Sequence, residues 1–293
     1  MKSRINQFIT LENQFLKVEL CSLGASLYRI IFNNKDMLVA SINKEDIKLN
    51  NYYFGKTIGR VCGRLPINYS KEYKLEDNDN SVSLHGGFNG LSNQYFDVEK
   101  QDNKVIFSYL SKDNEAGYPG NLLIKVIYEL IDNTLRVNYL ATCDKPCLLA
   151  LTNHSYFSLG EDDKDNLYLK IKTDKYIEVD DRLLPVRYQP LPKRWDFNDY
   201  KCLKECGDID NSFILLDSEV SLKSKKYQMD IKTDYKAVQI FTDHFPFDFI
   251  SFNSKNNKYR GLAIEPQGDQ LNRKELLIGQ TYNHYISYTF KKL

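Results

Sequence analysis

The sequence predicts an all-β protein, one large antiparallel β-sandwich, and three observations carry that reading. Short runs in which apolar and polar residues alternate recur along the 293 residues, as strands do when one face lies on a core. No apolar pattern of period 3.6 lasts for the length of a helix, and no internal repeat of about 20 to 50 residues is present. The runs are separated by clusters rich in Asn, Asp, Gly and Lys, at residues 76–80, 113–117 and 161–165. These read as turns and solvated loops, and none is long enough to be a linker.

Taken in order, residues 15–20 set Leu16, Val18 and Leu20 against Lys17 and Glu19, and residues 24–32 follow as a second strand. Further strands are predicted at 104–110, 122–130 and 134–142. In the last of these Leu135, Val137, Tyr139 and Ala141 share one face, with Arg136 and Asn138 on the other. Runs at 167–173, 227–233, 237–242, 247–252, 261–265 and 285–291 complete the set. Chains of this length make two ordinary domains or one large β domain. The even spread of strands favours a single domain over residues 1–293.

The hydrophobic content of 42%, with 21 Tyr and 16 Phe, supplies a large core. Against 40 basic residues stand 39 acidic ones, a net charge of +1. Such a chain has no overall field to attract nucleic acid or an anionic membrane, so a small neutral or polar partner fits better. No run approaches about 18 apolar residues, and the first seven residues are too polar for a secretory signal, which predicts a cytoplasmic protein. The N-x-S sequons at Asn68 and Asn153 then have no role. Of six cysteines, Cys143 and Cys147, and Cys202 and Cys206, share a C-x3-C spacing. No histidine lies near either pair, so reduced structural thiols are favoured over zinc.

Chemistry concentrates in four stretches. LTNHSYFS, residues 151–158, sets one of only four histidines, His154, among hydroxyl and aromatic groups. Its imidazole titrates near neutrality, at about 6.5 when unperturbed, and Tyr156 and Phe157 offer apolar faces to a ring substrate. The competing reading is a core histidine hydrogen-bonded to backbone. GRVCGR, residues 59–64, is not a phosphate loop, because the GK[ST] ending is missing and no helix follows. Its glycines allow close backbone approach, and an arginine fork suits sugar hydroxyls or a ring oxygen. SLHGG, residues 83–87, places His85 before a glycine pair, which alone fits a surface turn equally well. GLAIEPQ, residues 261–267, ends an apolar strand in Glu265, placed either as a general base or as an exposed strand terminus.

The set, in this order, resembles the aldose 1-epimerase family, also called galactose mutarotases. GRxxGR at 59–64, LHGG at 84–87, LTNHSYF at 151–157, IDNSF at 209–213, VQIF at 238–241 and LAIEPQ at 262–267 carry the resemblance. The residues 10–25 and 279–290 extend it nearly end to end. It implies a large twisted antiparallel β-sandwich, the galactose mutarotase-like supersandwich, with a cleft on one face. It also implies an isomerase that interconverts the α and β anomers of a free aldose such as glucose or galactose. By the same resemblance His154 is the general acid and Glu265 the general base, while Arg64, His85, Asp210 and Gln239 bind the sugar. No metal or organic cofactor is implied. Three positions depart from the family pattern: Gly63 stands where many members carry Asn, Asn211 where a histidine often follows the binding aspartate, and residues 266–272 form a shorter segment.

Two other readings compete. A non-catalytic sugar-binding or regulatory protein on the same fold has no need of an opposed acid and base. An epimerase of sugar phosphates needs a basic cluster, for which Arg60 and Arg273 are the candidates. The partner expected is a small sugar, with neither nucleic acid nor membrane, and the assembly a monomer or homodimer. Negative charge on Glu265 and Asp210 beside the imidazole is expected to raise the pKa of His154.

Overall fold

The computed structural model describes residues 5–49, 52–246, 249–252 and 254–293. Its largest element is a nine-stranded antiparallel sheet. In spatial order it runs Lys201–Cys202, Tyr168–Ile171, Glu219–Lys223, Tyr227–Thr233, Tyr282–Lys292, Thr134–Cys143, Leu122–Ile131, Lys104–Ser111 and Asp97–Lys100. The alternation read from sequence sets its faces. Leu135, Val137, Tyr139 and Ala141 are buried and pair in register with Leu130, Tyr128, Val126 and Ile124 of the neighbouring strand. Two apolar rows therefore lie side by side on one face. Each such side chain contributes roughly 1.5–3 kcal/mol when fully buried, against the entropy of ordering it.

A six-stranded sheet packs on that core, in the order Tyr156–Phe157, Leu262–Gln267, Ala237–Phe241, Asp210–Ile214, Lys175–Val179 and Pro185–Pro190. Its inner face contributes Phe213, Val238, Ile240, Leu262 and Ile264 to the same hydrophobic cluster as Val126 and Tyr139. A third sheet, Phe8–Glu12, Leu16–Cys21, Ser26–Phe32 and Lys35–Asp36, adds Leu11, Val18, Leu20 and Ile30 to it. Helical structure among the described residues is confined to six short 3-10 turns. None is long and apolar enough to cross a membrane.

The strand expected at 247–252 is a correction. Residues 247 and 248 lie outside the described residues, and 249–252 carry only an isolated bridge from Ser251 to Ser41. Several strands lacked a legible pattern. Pro185–Pro190 is an exposed edge strand with no buried residue, so no apolar alternation marks it. All six residues of Leu262–Gln267 are buried, which places Glu265 deep in the sheet and not at an exposed terminus.

Candidate active site

The outer face of the six-stranded sheet floors a cleft of about 340 Å³. The ladder register brings its polar residues together: Ser212 faces Gln239 and Gln239 faces Glu265, one residue from each of three adjacent strands. Asp210 and Gln267 lie two residues from Ser212 and Glu265, so the pleat returns them to the same face. All of these line the cleft. Gln239 Nε2 donates to Asp210 Oδ1 at 2.7 Å, which orients both groups. Asn211, out of phase with Asp210, does not line the cleft; its Nδ2 donates to the Ile177 carbonyl at 3.3 Å. That departure from the family pattern is thereby taken out of the site.

His154 sits between two short strands, Thr152–Asn153, paired with Thr57–Ile58, and Tyr156–Phe157, paired with Leu262 and Ala263. Its backbone N–H donates to the Lys56 carbonyl at 2.9 Å, and its carbonyl accepts from the Gly55 N–H at 2.9 Å. The main chain is thus held on both sides. Its ring packs among Tyr156, His85 and Tyr53, at centroid distances of 5.1, 5.2 and 5.9 Å. Nε2 lies 3.4 Å from Glu265 Oε1, and Nδ1 has no hydrogen-bond partner among the described residues. A core histidine satisfied by backbone is therefore not what the structure holds. Tyr156 lines the cleft as expected, but Phe157 does not. It is fully buried against Tyr288, with ring centroids 5.1 Å apart.

The opposite wall comes from a small two-stranded ladder, Arg64–Pro66 with Val82–Leu84. The chain leaves it through His85, Gly86 and Gly87, all with positive φ. At Gly86 a Cβ would lie 2.1 Å from the Gly59 carbonyl oxygen, so only glycine fits. The His85 N–H donates to the Gly63 carbonyl at 2.9 Å, and the Gly63 N–H donates to His85 Nδ1 at 3.2 Å. The accepting Nδ1 leaves the proton of the neutral ring on Nε2. Arg64 Nε donates to Asp79 Oδ2 at 2.7 Å. Asp79 lines the cleft and lay hidden in the 76–80 cluster that reads as a solvated turn.

The other arginines serve the scaffold. Arg60 is buried, and its guanidinium donates to Ser111 Oγ and to the carbonyls of Ser111, Lys112, Pro119 and Gly120 at 2.9–3.0 Å. Arg273 donates to the Arg64 carbonyl at 3.0 Å and the Cys62 carbonyl at 3.4 Å. Neither lines the cleft, which removes the basic cluster a sugar-phosphate epimerase requires. At Gly63 (φ 72°) an added Cβ would meet Gln270 Nε2 at 3.0 Å. The 266–272 segment thus fills the space beside Gly63, and its Gln267 and Gln270 line the cleft.

Burial dominates the proton chemistry. It pushes the Glu265 carboxyl well above the usual carboxylate range, with the Asp210 charge adding to the rise and Arg64 opposing it. It pulls His154 down to about 3, which overturns the expected rise. The cause is desolvation of the imidazolium in its buried position. His85 is lowered by burial, then by His154 and Arg64. Asp210 is raised by burial, against Arg64 and the Gln239 hydrogen bond. Across the 3.4 Å contact, burial thus favours the uncharged form of both partners, carboxylic acid and neutral imidazole. Among the described residues no group of three or more His, Cys, Asp or Glu is placed to hold a metal.

The aldose 1-epimerase family model matches residues 7–289. The chain belongs to the aldose 1-epimerase family. The galactose mutarotase of Pongo abelii is 33% identical over 319 residues, covering 96% of this chain and 92% of that protein. A solved aldose epimerase homologue from C. elegans superposes with a TM-score of 0.90 at 29% identity, covering 99% of this chain and 100% of that one. Galactose 1-epimerase from Lactobacillus acidophilus gives 0.90 at 26% identity, with 100% and 96% covered. This member of the family has the family's all-β fold and is an isomerase. The six residues that the sequence resemblance singles out, His154, Glu265, Arg64, His85, Asp210 and Gln239, all line the cleft over the six-stranded sheet.

Proposed function

We propose that this cleft opens and closes the ring of a free aldose, with Glu265 and His154 moving the protons and Arg64, His85, Asp210 and Gln239 holding the sugar. The contact of a buried carboxyl with a buried imidazole at 3.4 Å, on the floor of a polar cleft, carries the reading. As a carboxylate, Glu265 takes the proton of the anomeric hydroxyl while protonated His154 gives one to the ring oxygen. The C1–O5 bond breaks and the C1=O1 bond forms. The free aldehyde turns about C1–C2, and closure on the other face reverses both transfers.

The pair carries one proton throughout. Carboxylate with imidazolium is the form that opens the ring, and carboxylic acid with neutral imidazole is the form that closes it. Burial favours the second form, which is isomeric with the first by a single proton shift, so no change in total protonation is needed on binding. A purely sugar-binding role leaves this opposed pair without a use.

The test is polarimetry on freshly dissolved α-glucose and α-galactose with chelator present throughout. Accelerated change in rotation is expected. Sugar binding without acceleration would establish the non-catalytic role instead, and activity lost to chelator would overturn the metal-free chemistry. We further propose a single domain over residues 1–293. We also propose residence in the cytoplasm, supported by six cysteines that are all free thiols.

A further inference from the structure

Glu265 has few neighbours able to assist it. Along its strand, Ala263 on one side is apolar and Gln267 on the other is an amide on the same face. Across the ladder, Gln239 already donates to Asp210. Gln267 is 1% exposed and lines the cleft, yet its Nε2 has no hydrogen-bond partner among the described residues. A buried amide N–H left unpaired costs about 1–3 kcal/mol, so such a donor has a partner when the site is occupied.

The orientation of that amide has a cause. Cys62 Sγ donates to Gln267 Oε1 at 2.7 Å. Burial pushes the Cys62 thiol up to about 12, so it keeps its proton and remains a donor. A thiol sulfur is a weak acceptor, so the amide oxygen takes the thiol side and the NH₂ group, on a side chain that lines the cleft, is left free to donate. Cys62 in turn is held by its carbonyl, which accepts from Arg273, and by its N–H, which donates to the Ala150 carbonyl at 2.9 Å.

We propose that the Gln267 amide donates a hydrogen bond to the anomeric oxygen of the bound sugar as Glu265 removes its proton, and that Cys62 is the positioning residue that turns the amide into the cleft. The inference rests on the ring-opening reaction proposed above. An N–H aimed at an oxygen that is losing its proton stabilises the charge developing there, and it binds the aldehyde oxygen in the open form. Removal of a single donor of this kind elsewhere costs roughly 10²–10³ in rate. The effect here is smaller, because Glu265 takes the proton as the charge appears.

The experiment compares wild type with Gln267→Met, Cys62→Ala and Cys62→Ser by polarimetry, with thermal melts to confirm folding. Gln267→Met is expected to lower kcat about 10- to 10²-fold with little change in KM. The same loss is expected on 2-deoxyglucose, which lacks the hydroxyl beside the anomeric carbon. Cys62→Ala lowers kcat less, and Cys62→Ser, which keeps a donor, restores most of it. An active wild type whose kcat is matched by Gln267→Met overturns the role of the amide. A loss that vanishes on 2-deoxyglucose moves the contact to the neighbouring hydroxyl and overturns it also. Cys62→Ser no better than Cys62→Ala removes the positioning role. If Gln267→Met does not fold, the Ala and Ser variants of Cys62 decide alone. A wild type without activity overturns the reaction itself, and this proposal with it.

Discussion

The two walls of the cleft are built by different means. On the sheet wall, Ser212, Gln239 and Glu265 follow from ladder register, and strands pairing on both sides hold them. On the loop wall, Arg64 and His85 stand at the end of a three-residue ladder whose exit runs through positive φ at His85, Gly86 and Gly87. Arg64 takes its aim from Asp79, a partner on a turn. A one-residue slip on the sheet would turn every side chain to the other face, so that wall admits little variation. The loop wall tolerates change, and Gly63, one of this chain's departures from the family pattern, lies on it beside Gln270. The proposed proton transfer thus belongs to the rigid wall, while the proposed sugar contacts come from both, Asp210 and Gln239 on the sheet and Arg64 and His85 on the loops.

The largest expected effect tests the rigid side. Glu265→Gln and His154→Asn each lower kcat by about 10²- to 10⁴-fold with KM little changed. Steady-state polarimetry with folded variants checks this, and a loss confined to KM would reduce the pair to a binding role. On the loop wall, Arg64→Ala should act mainly on KM. A charge-assisted hydrogen bond of about 1.5–3 kcal/mol corresponds to a rise of roughly 10- to 10²-fold. Asp79→Asn should follow in the same direction with a smaller shift. Equal kcat losses on both walls would erase the distinction.

Stability separates the walls in another way. Gly86→Ala forces a Cβ against the Gly59 carbonyl at a φ of +90°, and should cost more than about 2 kcal/mol in chemical denaturation. Gly268→Ala is the control, since its Cβ meets nothing within 4 Å. Similar denaturation midpoints for the two variants would mean that the loop wall yields more easily than its packing implies.

The smallest effect is on pH. Glu265 is raised and His154 is lowered to about 3, so the pair holds a single proton in the window between the two titrations. The kcat/KM profile is expected to be flat there, falling in acid where the pair takes a second proton and in base where it loses its only one. The Asp210 charge raises Glu265, so Asp210→Asn should move the basic limb to lower pH. An acid limb near 6.5 would show that the imidazole titrates as if exposed.

Much of the scaffold is legible because period-two alternation survives wherever one face is apolar and the other polar, as in residues 134–142. It disappears where both faces are buried, as in Leu262–Gln267, and at exposed edges such as Pro185–Pro190. The site motifs are legible as local strings, LTNHSYF above all, and at His85 the turn behind the string needs the glycine at 86. Partners far apart in sequence are not legible. Asp79 and Gln270 carry no local mark that separates them from ordinary turn or strand residues.

By itself the sequence determines the all-β class and the family, and it singles out the side chains proposed for the chemistry. These depend on local pattern and residue type, which folding does not alter. Only the tertiary structure decides that Arg60 and Arg273 brace the scaffold while Arg64 lines the cleft, and that Phe157 belongs to the core and Tyr156 to the cleft. It also decides that Cys62 aims the Gln267 amide, and that His154 is pulled down in pKa and not raised. Each of these depends on which distant groups come within a few ångströms and on how much water they exclude, and desolvation is a property of the assembled fold.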